Sequence, residues 1–528
     1  MNRDTCARVR LGRAGMGLVL LGAGTSGAWA AGFEVPQKGI KEMGVAFGGS
    51  AALLEDASAV ANNPAGLVRL EGQNVSAGLT LIQSEFDYDT EVHRELIEDV
   101  GGQVPGDGSG TIDGESIVPH FYYSQRISDD AAWGLGVYAP FGSNTDYPDD
   151  WAGRYNATET DIMAVNLNPA FSWRATDTLS VGFGAIVQYF EGTFRNDIDV
   201  GYLVAEQVIE QLEDENLAEP EGGNEAVVDA LAHRYDVSND MQVDGIAYGF
   251  NFGLLWEPAD GTRIGLSYHS RTRQVAEGEA DRPETLDPDY QQDLEDEIAD
   301  ISLEDGLARF CDWDIWNDPT IGRCQPDAAP EGAARAVGPL GAAGGDIQLI
   351  VDMPEIATLS FYHELTERWA VTGGATFTRW SNVEELRFTY EDESDRGGED
   401  YTGSGDDVRR RDLVQPFAWE DTWRYGLGVI FTPTETWTFR AGVAYDESPV
   451  PDAERRTPRG PDSDRIIGAV GMSWQPTTNL GIDLAYTYTH MEEAEINNRE
   501  NPAGSQHRIE GEYDGHLHST AVQVNYAF

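Results

Sequence analysis

Three cysteines and nine histidines are the residues of this chain best suited to chemistry. Cys6 lies in a leader expected to be removed, whereas Cys311 and Cys324 stand thirteen positions apart in the part expected to be exported. In an oxidising compartment that pair reads as a disulfide. Closing so short a loop would contribute about 3 kcal/mol in the chain-entropy picture. A two-cysteine metal site is the weaker reading, because no histidine lies near either sulfur, and no metal is expected. Hydrolytic chemistry needs a nucleophile beside a base. His120, His269, His363 and His490 are present, but no G-x-S-x-G accompanies them. His269 beside Ser270 is the one adjacent pair, and neighbours on a strand point to opposite faces. No catalytic constellation and no cofactor are therefore expected, and the chain is read as a non-enzyme.

The leader gives an address. Arg3, Arg8, Arg10 and Arg13 form a basic start, Leu18 to Leu21 belong to a short apolar core, and Ala28-Trp29-Ala30 is a small-x-small cleavage site. Residues 1–30 thus read as a secretory signal, with the mature chain starting at Ala31. After it no run of about 18 uncharged apolar residues occurs, so no transmembrane helix is expected; mean hydropathy is −0.41. The formal charge is −57, and losing the leader's four arginines and one aspartate leaves −60. Such a surface repels phosphate backbones, which excludes a nucleic-acid partner. Acids crowd into 206–229 and 281–305. A solvated face is the plain reading of those runs, and divalent-cation bridging to lipopolysaccharide the sharper one.

The elements that must position any site show period two. In Trp437-Thr-Phe439-Arg-Ala441-Gly-Val443-Ala-Tyr445 the odd residues are apolar; Leu480 to Tyr488 and Val181 to Tyr189 repeat the pattern. Each reads as a strand with one apolar face and one polar or small face. In a soluble sandwich the apolar face meets another sheet; in an outer-membrane barrel it meets lipid. Turn placement decides between them. Tight turns fall near 128–130, 175–177, 258–261, 365–368, 432–435 and 476–479, and long acidic segments, about 197–243 and 278–345, lie between them. Short turns at one end and long loops at the other is the outer-membrane pattern. The chain is therefore read as all-β, a 14-stranded antiparallel transmembrane barrel over 73–528. Trp133, Trp173, Trp256, Trp369, Trp437 and Trp474 all sit beside tight turns, as an interfacial girdle requires. The last strand alternates to a terminal Phe528. Apolar residues at helical spacing in the long loops (Val204, Val208, Ile209 and Leu212; Val227, Val228, Leu231 and Ala232; Leu294, Ile298 and Ile301) either cap one another or frame an apolar groove.

Residues 31–72 are glycine-rich and apolar, with a short helix expected over 51–60. Forty residues cannot fold alone, so they are read as a small N-terminal hatch, or plug, inside the lumen. Here the chain resembles the FadL-type long-chain fatty acid transporters. The resemblance runs through Ala31-Gly32-Phe33, Gly48-Gly49-Ser50-Ala51 to Asp56-Ala57, Asn63-Pro64-Ala65, Pro140-Phe141-Gly142, Trp151-Ala-Gly-Arg154-Tyr155, Trp380-Ser381, Asp446-Glu447-Ser448-Pro449-Val450-Pro451, 462–465 and Asn525-Tyr526-Ala527-Phe528. It spans the mature chain in order. It implies a monomeric outer-membrane barrel of a Gram-negative bacterium, embedded among lipid and lipopolysaccharide, that passes long-chain fatty acids or similar hydrophobic molecules. It further implies ligand binding by Arg387, Arg195, Arg154 and Phe33, and a hatch turn at Asn63, Pro64 and Ala65. A lateral gate would form at Gly134, Gly136, Pro140 and Gly142, where proline interrupts a strand ladder, and Asp446 and Glu447 would touch the hatch. Uptake of aromatic hydrocarbons or alkanes is the alternative within the family, and a barrel-type hydrolase the more distant one.

Overall fold

Alternation becomes architecture in the computed structural model, which describes residues 32–94, 103–202, 236–281, 345–390, 413–499 and 507–528, with residues 205, 209, 228 and 231–233 between them. The strand segments are β1 (Gln73–Arg94), β2 (Ser109–Ser128), β3 (Ala131–Asp146), β4 (Glu159–Thr176), β5 (Leu179–Asp199), β6 (Asp236–Ala259), β7 (Thr262–His269), β8 (Thr272–Asp281), β9 (Gly345–Met353), β10 (Ile356–Thr366), β11 (Trp369–Thr378), β12 (Glu385–Tyr390), β13 (Leu413–Pro416), β14 (Thr422–Thr434), β15 (Trp437–Asp446), β16 (Arg465–Trp474), β17 (Leu480–Asn498) and β18 (His507–Ala527). Four consecutive staves are each broken in two, as β7/β8, β9/β10, β11/β12 and β13/β14. The wall thus has fourteen antiparallel staves, closed by β18 on β1. Closure joins the first and last staves, so neither is left as a free edge. No described helix is long and apolar enough to cross a membrane.

The apolar faces point outward. Phe439, Val443 and Tyr445, then Leu484, Tyr486 and Tyr488, then Val524, Tyr526 and Phe528 are exposed, whereas Arg440, Ala444, Asp483, Thr487 and Gln523 between them are buried within the barrel. Trp133, Trp173, Trp256, Trp369 and Trp474 are exposed beside the tight turns, and Trp437 stacks on Trp474 at 5.9 Å. The long loops are shorter than expected. β5 runs to Asp199, β6 begins at Asp236 and β8 continues to Asp281. Strand continues beyond the bilayer there, where the outer face meets water and acids such as Asp240 and Asp244 replace apolar residues. The signal, Cys311, Cys324 and Leu294, Ile298 and Ile301 lie outside the described residues.

Residues 32–72 lie within the wall, touching staves on every side. The helix expected over 51–60 does not form: helix starts only at Ala59, in α2 (Ala59–Asn62), beside α1 (Ile40–Met43) and a 3-10 turn (Pro64–Arg69). Backbone groups that a longer helix would satisfy are taken by the wall instead. Asn63 donates to the Ala51 and Leu254 carbonyls at 2.8 and 3.0 Å, and its side-chain oxygen accepts from Ala65 N at 3.1 Å. Asn63 is extended (φ −161°), with Pro64 at the start of the 3-10 turn. It acts as an ordinary cap, not through the unusual backbone angle that asparagine tolerates. The wall makes room with glycine. A Cβ at Gly182 would overlap Pro64 and Ala65, at Gly265 the Ala51 carbonyl, at Gly442 the Val45 carbonyl, and at Gly426 the Gly48 backbone. Backbone lies on backbone, so nothing flexible can yield.

Candidate ligand-binding site

Above the packed segment the inner faces of several staves converge on one apolar chamber. Phe190 and Phe194 of β5, Met241 and Val243 of β6, Leu349 and Val351 of β9, and Leu386 and Phe388 of β12 are all buried in it. The four stave breaks share one level, since His269 pairs with Ile356, Ile356 with Thr378, and Thr378 with Thr422. Chain released by the breaks folds inward there, bringing Trp380, Phe417 and Trp419 into the cluster. Phe33 fills the centre. Its ring meets Trp380 edge-on at 4.9 Å, Phe141 edge-on at 5.9 Å and Trp419 at 5.5 Å, separations at which aromatic pairs attract beyond simple area burial.

The same tip is bonded to an irregularity in β3. The register between β3 and β4 slips between Tyr138 and Phe141, so one extra residue is inserted at Ala139–Pro140, as expected where proline supplies no ladder donor. Pairing between β2 and β3 ends at Phe121 with Val137, although β2 continues on β1 to Ser109. The wall between β2 and β3 therefore has no ladder beyond Val137 among the described residues. Val35 N donates to the Pro140 carbonyl at 2.8 Å, and Gly142 N donates to the Phe33 carbonyl at 2.9 Å. The four expected gate residues thus separate into two pairs. Pro140 lies in the bulge and Gly142 just beyond it, paired with Met163. Gly134 and Gly136 remain paired on both sides, and their Cβ positions fall 2.6 and 3.0 Å from Val60; they are small to admit the N-terminal segment.

Charge surrounds the tip. Glu34 meets Arg424 at 3.2 Å, and Arg424 meets Asp446 at 3.6 Å, all three buried. Arg424 and Lys38 beside Glu34 hold its carboxyl below the usual range although burial, the largest influence, pushes it up. Asp462 ion-pairs with Arg465 and accepts from Gly32 N at 2.9 Å and from the Ser448 hydroxyl at 3.1 Å. Asp446 thus reaches the segment through Arg424. Glu447 does not; it exchanges hydrogen bonds with the Trp423 backbone at 2.8 and 3.2 Å.

The expected head-group arginines lie elsewhere. Arg195 follows inward-facing Phe194 with the β5–β6 register unbroken, so it points outward, paired with Glu159 and, at 2.9 Å, Asp240. Arg387 stands between inward-facing Leu386 and Phe388 and pairs with Glu385 at 2.7 Å. The bulge that would turn either inward is absent from both registers. Arg154 is buried in the segment between β3 and β4, held by Asp236 at 2.9 Å and by the Pro105 carbonyl at 3.0 Å. A different cation reaches the chamber. Arg459, between β15 and β16, is buried, with its guanidinium 6.0 Å from the Phe194 ring. Its Nη1 donates to the Thr160 hydroxyl at 3.2 Å and the Glu159 carbonyl at 3.3 Å, and its Nη2 has no hydrogen-bond partner among the described residues. Among the described residues no carboxylate pairs with it, and burial pushes it down to about 10. Nothing local marks Arg459 in sequence, since it sits in a polar connection far from Phe194. The wall glycines did carry a signal, because an aromatic or aliphatic residue precedes Gly134 and Gly265 after a tight turn.

The profile of a family described as outer membrane protein transport protein (OMPP1/FadL/TodX) matches residues 21–528. A long-chain fatty acid transport protein of Escherichia coli O6:H1 is 26% identical over 502 residues, covering 95% of each chain. Outer membrane protein P1 of Haemophilus influenzae is 25% identical over 482 residues, 89% of this chain and 88% of its own. Among solved structures, a Pseudomonas aeruginosa FadL homologue superposes with a TM-score of 0.70 at 22% identity, over 94% of this chain and 100% of its own. The Ralstonia pickettii toluene transporter TbuX gives 0.53 at 16% identity, over 94% and 99%.

Proposed function

The chain belongs to the outer membrane protein transport protein family (OMPP1/FadL/TodX), and from that premise we propose that it carries long-chain fatty acids inward through the chamber around Phe33. The family consists of transport proteins for hydrophobic molecules, not enzymes, and this barrel resides in the outer membrane of a Gram-negative bacterium. An acyl tail suits the chamber, since each buried CH2 contributes about 0.8 kcal/mol. Phe33 now fills that space, so a tail enters by displacing it. Displacement pulls on the two backbone bonds that join Phe33 and Val35 to the β3 bulge. Freeing the bulge opens the unzipped wall between β2 and β3 and lets cargo leave sideways, so that the tight site is spoiled as the path opens. The single observation that carries this reading is the double attachment of the Phe33–Val35 tip, to the chamber by its ring and to the bulge by its backbone.

Cargo class turns on Arg459. A buried guanidinium with a vacant donor and no carboxylate partner answers an anionic head group, and the related proteins named for fatty acids support that choice. Aromatic hydrocarbons are the second reading, favoured by the four rings at the chamber centre and by the toluene transporters that share the fold. The test is uptake by a host lacking its own fatty-acid transporter, comparing wild type with Arg459→Ala on oleate and on toluene. Oleate uptake is expected to fall roughly 10-fold or more, the weight of a charge-assisted hydrogen bond, with toluene unchanged. Oleate uptake by wild type no higher than in the empty host, with toluene transported, would replace the fatty-acid reading with the hydrocarbon one, and equal oleate uptake by both proteins would take the head-group role from Arg459.

A further inference from the structure

At the outer end of the barrel, away from the chamber, two imidazoles and a carboxylate meet. Asp199 ends β5, His233 lies shortly before β6, and His507 opens β18. One potential ligand atom from each lies within 4.8 Å of the others. The Asp199 and His233 side chains are 0% and 6% exposed, and His507 is buried. The carboxylate is held in place: its Oδ1 accepts from Tyr202 N at 2.9 Å and from His233 N at 3.0 Å. That leaves Oδ2 facing His233 Nδ1 at 2.7 Å. Tyr155 stacks on His507 at 4.6 Å and on His233 at 5.4 Å, and its hydroxyl lies 2.8 Å from His233 Nδ1 and 2.9 Å from Asp236 Oδ1.

We propose that Asp199, His233 and His507 form a binding site for one divalent transition-metal ion of the zinc class, which ties β5 and the approach to β6 to β18 across the mouth of the barrel. A simple ion pair between His233 and Asp199 accounts for one nitrogen and one oxygen. Among the described residues it leaves His233 Nε2 buried with no hydrogen-bond partner, a state that burial penalises, and it does not involve the second imidazole that converges on the pair. Two nitrogens and one carboxylate oxygen are the donor set that suits zinc and its first-row neighbours, not the all-oxygen shell of calcium or magnesium. Ligands about 2.0–2.2 Å from a tetrahedral ion stand roughly 3.3 Å apart, so side-chain rotations of an ångström or so would close the set, with water in the fourth position. Tyr155, its hydroxyl held by Asp236, supplies an outer hydrogen bond to His233 Nδ1 of the kind that orients a ligating imidazole. β5 and β18 are not neighbours in the wall, so the ion links staves that no backbone ladder joins.

The test uses the full chain in detergent, stripped with a chelator and re-equilibrated with zinc in excess magnesium, which occupies oxygen-only sites on the acidic surface. Wild type is expected to retain about one zinc ion per chain, and a His233→Gln/His507→Gln variant to bind at least about 100-fold more weakly while still migrating as a folded barrel. Cobalt added to the stripped wild type should produce the intense visible bands of a low-coordinate site, a readout that needs no variant. Zinc retention equal in wild type and double variant, or cobalt spectra of purely hydrated ion in wild type, would overturn the proposal.

Discussion

Between Gly44 and Ala65 the N-terminal segment meets the barrel backbone to backbone, across glycines whose Cβ would strike a carbonyl or amide. At Phe33–Val35 it meets the barrel through one ring, two backbone hydrogen bonds and the side-chain bonds and ion pair of Glu34. The first contact has no slack, because close-packed backbone cannot adapt. The second consists of separable pieces, each of the size a ligand can replace. One chain segment is thus held by close backbone packing along its body and by separate side-chain and hydrogen-bond contacts at its tip, and the difference lies in what faces it across the lumen.

That contrast can be broken from either side. The largest effect is expected from Gly265→Val, whose side chain would occupy the space of the Ala51 carbonyl. Overpacking against backbone should cost about 3 kcal/mol or more, seen as a collapse in the yield of heat-modifiable, folded barrel. Normal yield would show that the body of the segment also yields. Phe33→Ala is next. Losing a buried phenylalanine costs roughly 3–5 kcal/mol, but here the loss should stay local. The emission of Trp380 and Trp419 is expected to shift and the tip to become protease-sensitive, with the melting temperature of the barrel unchanged. A fall in that temperature would mean that tip and wall unfold as one unit. The smallest effect concerns Glu42, whose two carboxylate oxygens are buried with no hydrogen-bond partner among the described residues. Burial, aided by the charge of Asp56, pushes it up to about 8. Its pKa is higher folded than unfolded, so its contribution to stability is full below about pH 4.5 and is lost as pH rises toward 8. Glu42→Gln should remove that slope, raising stability at pH 8 by roughly 1–3 kcal/mol relative to wild type. Identical pH profiles for the two proteins would place a counter-charge beside Glu42.

How far the sequence could be read follows from where lipid is. Within the bilayer, lipid demands apolar residues on every second position, so Phe439, Val443, Leu484 and Tyr526 and the tight turns were legible. Beyond it the outer face of a strand is wet, and the same rule makes Asp236 to Asp244 look like loop although they pair in β6. Arg195 and Arg387 face outward, away from the chamber, in this region. Their outward face lies where arginine is at home, and no bulge redirects them. The stave breaks at 270–271, 354–355, 379–384 and 417–421 left no clear mark, since only Pro354 punctuates them. The chamber they create, and Arg459 beside it, therefore depended on the fold. The N-terminal segment was legible as glycine-rich and apolar, but its internal geometry is dictated by the wall and not by helix propensity.

The alignment of those four breaks has a mechanical consequence. A cylinder whose seams are interrupted at one height around part of its circumference is stiff below that height and compliant above it. Shear in the outer rim is absorbed along this line and not passed to the girdle below. The upper panel from β8 to β13 can then widen around a bulky guest while the lower ring keeps its cross-section, so the vessel swells at the rim without leaking at the base.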